Sequence, residues 1–181
     1  MLAAVARLNW GCGPNTPSGW LNADRLPAPG VDITGDIRDG LPLPSESLAC
    51  VVAIHALQDL PYLDVVPALR ELRRVLRPGG VLRVAVPDLE RAIRAYLRGD
   101  RAYFYVPDTD AVTVGGKLVA QLIWYGSVRT PFTYDALEEL LERAGFQDVR
   151  RCAFHQTVHG DPEIVTLDNR ERESLFVEAL R

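Results

Sequence analysis

The sequence predicts a doubly wound α/β domain, and three observations support that fold class. The run Val5–Trp10 ends in Gly11-Cys12-Gly13, which is typical of a buried strand that enters a tight turn. Strand-like and helix-like segments then alternate along the chain. Two further strand-like segments, at residues 149–154 and 174–179, come late in the sequence. Such an alternation favours a mostly parallel sheet with helices on both faces.

Composition and charge narrow the class of protein. The 181 residues are 48% hydrophobic and 24% charged, as expected for a single soluble domain spanning residues 1–181. The net charge of −4 argues against nucleic-acid binding through bulk charge, and no apolar run reaches the length of a membrane span. The three cysteines are far apart and odd in number, and Met1–Ala6 is too short for a signal peptide. A cytoplasmic location is therefore expected.

The first third of the chain predicts four strands. Strand-like segments at residues 20–24, 31–33 and 48–54 follow the first strand. The link between the first two strands is short, whereas a parallel crossover normally takes a dozen or more residues and includes a helix. The first connecting helix is therefore expected to be reduced to a loop.

The rest of the chain predicts helices with recognisable ends. Apolar residues at helical spacing predict a helix over residues 64–77, which Pro78-Gly79-Gly80 would end before a strand at 81–86. Asp88 is expected to cap a second helix. Residues 118–123 predict a third helix, and Thr133 is expected to cap a fourth.

Two aspartates are expected at strand ends beyond the glycines. Asp24 would end the second strand and Asp36 would follow the third. A carboxylate at the end of the second strand can accept hydrogen bonds from both hydroxyls of a ribose. The second carboxylate can accept from an exocyclic adenine amine while Ile37 packs on the ring. The alternative is that both aspartates are ordinary turn residues and that the Gly-x-Gly turn binds no ligand.

These features resemble the class I S-adenosylmethionine-dependent methyltransferases, and most closely a compact bacterial subgroup similar to the methyltransferase-11 family. The resemblance covers most of the chain except about residues 100–128. It runs through Leu8–Asn15, Gly19–Asp24, Gly35–Ile37, Leu41–Pro44, Leu72–Arg83, Val86–Leu89 and Leu140–Phe146.

The resemblance implies a Rossmann-like, seven-stranded sheet with the last strand antiparallel, and S-adenosylmethionine bound across the strand ends. The cofactor-binding positions that it implies are Asn9, Gly11, Cys12, Gly13, Asp24, Asp36, Ile37 and His55. His55 would lie near the sulfonium. His55 and Asp59 are candidates for a general base, and the alternative is that they have backbone or cofactor-shaping roles. A sulfonium is already a strong methyl donor, so the protein mainly aligns an in-line displacement and accepts a proton.

Departures from the family pattern bear on the methyl acceptor. Asn9 stands where many members carry an acid, and Gln58-Asp59 stands where relatives often carry Glu-His. The Asn/Asp-Pro-Pro-aromatic run that holds a planar nitrogen in some amine methyltransferases is absent. We therefore expect a small-molecule or sugar-like acceptor, with oxygen slightly preferred over nitrogen. Tyr125 and Tyr134 are candidates for its pocket, although core packing is the simpler interpretation.

Two other functions are alternatives to methyl transfer. A catalytically inactive cofactor-binding or interaction module is the alternative that Asn9 and Gln58-Asp59 suggest. A nicotinamide-dependent dehydrogenase is not favoured, because Thr16 stands where the third glycine of that fingerprint would be. No metal site is predicted, since His155 and His159 are not in a helical sequence and have no evident third ligand. The sequence does not predict the oligomeric state.

Overall fold

Seven strands form one sheet in the part of the chain that the structure, a computed structural model, describes, namely residues 7–181. Val5 and Ala6 of the predicted first strand lie outside these residues. The strands are β1 (Arg7–Trp10), β2 (Leu21–Asp24), β3 (Ile33–Thr34), β4 (Leu48–Ile54), β5 (Leu76–Pro87), β6 (Gln147–Cys152) and β7 (Ser174–Leu180). Their order is β3-β2-β1-β4-β5-β7-β6, and β7 is antiparallel to both neighbours. The predicted fold class, including the reversed last strand, is confirmed.

Four α-helices accompany the sheet: α1 (Tyr62–Val75), α2 (Leu89–Leu97), α3 (Val114–Ile123) and α4 (Tyr134–Arg143). The Asp88 carboxylate caps α2 as predicted and accepts a hydrogen bond from Arg91 N at 3.0 Å. The Thr133 hydroxyl makes no capping hydrogen bond to α4 and instead contacts Asp135. None of these helices is both long and apolar enough to cross a lipid bilayer.

The predicted boundary between the first helix and the fifth strand is wrong. The helix ends at Val75 rather than residue 77, and β5 begins at Leu76 rather than residue 81. Leu76 is fully buried and pairs with Leu48 at the start of β4. This pairing with a distant strand overrides the local helical spacing.

The chain passes from β1 to β2 without a helix, as predicted. The backbone N–H groups of Gly11 and Cys12 both donate to Ala23 O of β2, at 2.8 and 3.1 Å. The chain therefore folds directly against the end of β2 as it leaves β1. The Asn9 amide closes the loop because its Nδ2 donates to Asn15 O at 2.8 Å.

Both faces of the central strands are buried, which explains the continuous apolar run of β4. Alternate residues of β4 contribute to two cores. Val51 and Ala53 belong to the larger core, together with apolar residues of α1 and α4 such as Leu72 and Leu141. Val52 belongs to the smaller core on the other face, with Trp20, Ile164 and Leu167.

One edge of the sheet gathers the carboxyl ends of the parallel strands. Strands β1, β2, β4 and β5 all end at this edge, and residues at the ends of β1, β2 and β4 line a shared cavity there. Because β7 runs the other way, its first residue, Ser174, pairs with Pro87 at the end of β5. The edge therefore receives side chains from strand ends and from the segment before β7.

Candidate active site

A cavity of about 330 Å³ lies at this edge, beside the ends of β1, β2 and β4. Its lining includes Gly11 and Gly13 after β1, Asp24 at the end of β2, and His55 after β4. Open α/β sheets bind ligands at this position. The volume is within the range of small-molecule and cofactor sites.

The two glycines of the turn have different roles. Both have positive φ, +69° at Gly11 and +51° at Gly13, which favours glycine. A Cβ on Gly11 would lie 2.2 Å from Ala56 Cβ, so the contact with the chain after β4 requires glycine there. A Cβ on Gly13 would have no neighbour within 4 Å. The backbone at Gly13 therefore presents an open surface to the cavity.

The Asp24 carboxylate is held in a fixed orientation. Its Oδ2 accepts from Gly13 N at 2.8 Å, and its Oδ1 accepts from Leu26 N at 2.9 Å. Each carboxylate oxygen can accept a second hydrogen bond. The pair of oxygens can therefore still receive two hydroxyl donors from a ligand.

Asp36 and Ile37 also line this cavity. Asp36 accepts hydrogen bonds from the Arg38 side chain, at 2.9 Å from Nε and 2.6 Å from Nη2, and from Arg38 N at 3.0 Å. These bonds lower the pKa of Asp36 from 3.8 to about 2. Ile37 is buried and lines the cavity, so it presents an apolar surface beside a permanently ionised carboxylate.

Asn9 and Cys12 lie outside this cavity lining. The Asn9 side chain is 3% exposed, and its Nδ2 donates to Asn15 O and to Asn22 Oδ1 at 3.1 Å. Cys12 is also buried, and burial raises the pKa of its thiol. The structure thus brings Gly11, Gly13, Asp24, Asp36, Ile37 and His55 to one cavity, with Asn9 and Cys12 packed beneath the turn.

His55 is held by its ring at the junction of β4 and β7. Its Nε2 lies 2.8 Å from Ser174 Oγ, and the Ser174 hydroxyl lies 2.8 Å from Arg170 O. Since the hydroxyl donates its one proton to that carbonyl, it accepts from His55 Nε2–H. His55 Nδ1 then carries a lone pair, and this buried atom has no hydrogen-bond partner.

Burial also determines the charge of His55. It lowers the pKa of the imidazole from 6.5 to about 3, and the nearby Arg170 acts in the same direction. The ring is therefore neutral at physiological pH. His55 suits the role of a hydrogen-bond acceptor better than the role of a strong general base.

A second cavity of about 220 Å³ lies beyond His55 and Asp59, which line both cavities. Gln58, Gln121, Arg170 and Glu173 also line it. Gln58 is 5% exposed, and its Nε2 donates to His55 O at 2.7 Å while its Oε1 has no partner. Buried polar atoms are nearly always hydrogen-bonded, so two bare acceptors beside one cavity indicate a place for a ligand.

Two carboxyl groups of this second cavity are poorly solvated. Asp59 is an exposed residue, yet desolvation of its carboxyl group by the surrounding protein raises its pKa. Burial likewise raises the pKa of Glu173, with Arg170 Nη1 at 3.6 Å from the carboxylate acting against it. Both groups are thus stronger bases than ordinary surface carboxylates.

Backbone strain is concentrated around the second cavity. His55, Trp124 and Arg170 all have left-handed φ angles, of +53°, +40° and +54°, and all three line the cavity. Such conformations cost free energy in residues other than glycine and are common at functional sites. The strain supports the assignment of this cavity as functional.

Several residues of the two cavities were missed by the sequence interpretation. Arg25 and Arg38 line the first cavity beside the predicted aspartates. Their positions close to Asp24 and Asp36 in the sequence could have identified them. Gln121, Arg170 and Glu173 come from distant segments, and no spacing in the sequence connects them with the site.

The two tyrosines proposed for the acceptor pocket lie outside the linings of both cavities. The Tyr125 side chain is exposed, and its hydroxyl donates to Asp110 Oδ2 at 2.6 Å. The Tyr134 hydroxyl donates to Glu138 at 2.8 Å. An aromatic contribution to the second cavity comes instead from Trp124.

A family model described as a methyltransferase domain matches residues 12–84, which include Asp24, Asp36, His55 and Asp59. This part of the chain is therefore similar to a methyltransferase domain. The resemblance to class I S-adenosylmethionine-dependent methyltransferases is thereby confirmed. The predicted cofactor, S-adenosylmethionine, is confirmed with it. A search of curated proteins finds no match to this sequence.

Solved methyltransferase structures share the fold. A methyltransferase from Thermotoga maritima, described as a possible histamine N-methyltransferase, is 20% identical with a TM-score of 0.58, over 96% of this chain and 81% of that chain. One from Mesorhizobium loti is 21% identical with a TM-score of 0.53, over 100% and 94%. The Burkholderia thailandensis 1,6-didemethyltoxoflavin-N1-methyltransferase, solved with bound 1,6-didemethyltoxoflavin and S-adenosylhomocysteine, is 15% identical with a TM-score of 0.56, over 97% of this chain and 70% of that chain.

Proposed function

We propose that this protein is an S-adenosylmethionine-dependent methyltransferase that binds its cofactor in the first cavity and a small-molecule methyl acceptor in the second. The observation that carries the proposal is the junction of the two cavities at His55 and Asp59. A methyl group transferred between two bound molecules must pass across such a junction. The reacting atoms then need only to be aligned.

The first cavity fits the chemistry of the cofactor. Its lining carries the carboxylates of Asp24, Asp36 and Asp59 together with the guanidinium groups of Arg25, Arg38 and Arg129. S-adenosylmethionine combines a ribose and an adenine with an ammonium and a carboxylate, and when bound it supplies an electrophilic methyl group. A lining with both signs of charge suits such a ligand better than a lining with one sign.

Individual residues suit particular parts of the cofactor. Asp24 would accept from the ribose hydroxyls, and Ile37 would pack against the adenine beside Asp36. The open backbone at Gly13 leaves room for the amino-acid part. His55 would help to shape the site where the methyl group is transferred, and Asp59 is the candidate proton acceptor because burial raises its pKa.

The test is a calorimetric titration with S-adenosylhomocysteine of the wild type, Asp24→Asn and Asp39→Asn. Asp24→Asn removes the charge that receives the ribose hydroxyls, so we expect a loss of about 1.5–3 kcal/mol, or roughly ten- to a hundred-fold in affinity. Asp39 is exposed and lies outside the lining, so Asp39→Asn is a matched control that should keep wild-type affinity.

The outcomes separate the proposal from its alternative. Absence of binding by the wild type, or equal losses in the two variants, would contradict the cofactor site. Binding that depends on Asp24 but is never followed by methyl transfer to any acceptor would favour the inactive cofactor-binding module instead.

A further inference from the structure

Two residues that line the second cavity, His55 and Gln58, each carry a hydrogen-bond acceptor without a partner. The buried side-chain N and O atoms that lack a partner, among residues 7–181, are His55 Nδ1 and Gln58 Oε1. Ser174 fixes the proton of His55 on Nε2, and Gln58 uses its Nε2 on His55 O, so both bare atoms are acceptors. Each therefore needs a donor from the ligand.

The charge of the cavity favours the same kind of ligand. Two carboxylates, Asp59 and Glu173, face one guanidinium, that of Arg170, and His55 is neutral. The lining therefore carries one net negative charge. Glu173 is 6% exposed, so its carboxylate acts in a region of low dielectric where a cationic ligand is attracted more strongly than at the surface.

We propose that the methyl acceptor is the nitrogen of a small amine, held by His55 Nδ1, Gln58 Oε1 and the Glu173 carboxylate. This inference rests on the proposed function and differs from the slight sequence-based preference for oxygen. A hydroxyl has one proton and can serve only one of the bare acceptors. A primary amine has two N–H donors, which can bind both acceptors, and still keeps a lone pair for the methyl group.

The size of the cavity limits the amine. Its 220 Å³ corresponds to roughly seven water molecules at about 30 Å³ each. A compact amine fits this volume. A nucleotide or a peptide is larger and would have to extend beyond the cavity. The acceptor class is therefore a small primary amine.

The reaction balances with the residues present. The amine enters as an ammonium ion and gives one proton to the Asp59 carboxylate, which passes it to solvent on its exposed side. The nitrogen lone pair then forms the N–C bond while the C–S bond of the donor breaks, and the electron pair of that bond remains on sulfur. The products are the methylated ammonium ion and the thioether.

The test uses pairs of probes that share a carbon skeleton: benzylamine with benzyl alcohol, and cyclohexylamine with cyclohexanol. Their binding to the S-adenosylhomocysteine complex and to the protein alone is measured by calorimetry. Turnover is followed as S-adenosylhomocysteine formed from S-adenosylmethionine. We expect each amine to bind at least ten-fold more tightly than its alcohol and to gain one methyl group by mass spectrometry.

A charge variant checks that the carboxylate is responsible. Glu173→Gln keeps the side-chain shape but removes the charge, so amine affinity should fall at least five-fold while alcohol and S-adenosylhomocysteine affinities stay unchanged. Glu171→Gln, two residues away and exposed, is the control and should bind amines like the wild type.

Three results would overturn the inference: alcohols that bind as tightly as amines, no binding of any probe, or equal behaviour of the Glu173→Gln and Glu171→Gln variants. If these occur while S-adenosylhomocysteine still binds, the proposed function stands and only the amine assignment fails. If S-adenosylhomocysteine itself does not bind, the proposed function fails, whatever the amines do.

Discussion

Two buried polar clusters in this protein differ in how completely their hydrogen bonds are satisfied. The arginine cluster consists of Arg83, Asp168 and Glu178, and the histidine cluster consists of His55, Gln58 and Ser174. Arg83 is fully buried, with Nε and Nη2 at 2.7 and 2.5 Å from Asp168 and Nη1 at 2.6 Å from Glu178. The histidine cluster instead leaves two acceptor atoms bare.

The difference separates a structural role from a binding role. In the arginine cluster, the carboxylates also accept the backbone N–H groups of His155, Val158 and His159, so they fasten the segment before β7 to the sheet. In the histidine cluster, each bare acceptor costs about 1–3 kcal/mol without a ligand. This free-energy cost arises at the edge of the second cavity, where a ligand that donates hydrogen bonds can remove it.

The largest effect is expected when the arginine cluster is broken. Arg83→Met leaves two carboxylates buried without their cation, so the free energy of unfolding should fall by about 3–5 kcal/mol. Urea unfolding followed by tryptophan fluorescence measures the change. Arg77→Met, on the same strand but exposed, should change the stability by less than about 0.5 kcal/mol. A loss below 1 kcal/mol for Arg83→Met would show that the cluster does not brace the fold.

The next effect concerns acid stability and the histidine cluster. His55 has a pKa of about 3 in the folded protein, against the usual 6.5 of the unfolded chain. Below pH 6.5 only the unfolded chain gains this proton, so the stability contributed by His55 is full above pH 6.5 and is lost as the pH falls towards 3. Through His55, the free energy of unfolding of the wild type should fall by at most about 1.4 kcal/mol per pH unit. The His55→Asn variant should not show this fall.

The measurement is urea unfolding of wild type and His55→Asn at several pH values between 7.5 and 4.5. Asparagine tolerates the left-handed φ of residue 55. His155→Asn is the matched control, because His155 has a similar φ of +55° but an exposed side chain. Parallel pH curves for wild type and His55→Asn would refute the buried, neutral state of the imidazole.

The smallest effect is expected from Gln58→Met, the same replacement type as Arg83→Met. The variant loses the hydrogen bond to His55 O but also removes the bare Oε1 atom. These changes oppose each other, so the stability should shift by no more than about 1 kcal/mol. Thermal and urea unfolding measure it, and a loss above 3 kcal/mol would mean that Gln58 is as structural as Arg83.

Features that depend on neighbours in the sequence could be predicted. Strand β4 was predicted at residues 48–54 and is observed as Leu48–Ile54. The glycines of the turn, Asp24 and Asp36 were placed at strand ends, since strand ends and turns follow short-range rules. The structure places them around one cavity, and their contacts with the cofactor remain predictions.

Features that depend on distant contacts could not be predicted in this way. The end of α1 was misplaced because Leu76 pairs with Leu48. The neutral state of His55 follows from burial, and Glu173 reaches the second cavity through the segment before β7. Arg83 is an exception, because an arginine within an apolar strand signals a buried ionic partner, and the sequence interpretation did not use that signal.

Because β7 runs antiparallel to its neighbours, the segment just before it can vary in sequence while the pairing of the sheet is kept. Ser174 begins β7 at the ligand edge, so Arg170 and Glu173 just before it line the second cavity, while the pairing of β7 with β5 and β6 follows afterwards. Substitutions in the segment 170–173 would change the second cavity without shifting the register of the sheet and without removing Asp168 from its buried contact with Arg83. Changes in this segment can therefore adapt the same sheet to new methyl acceptors.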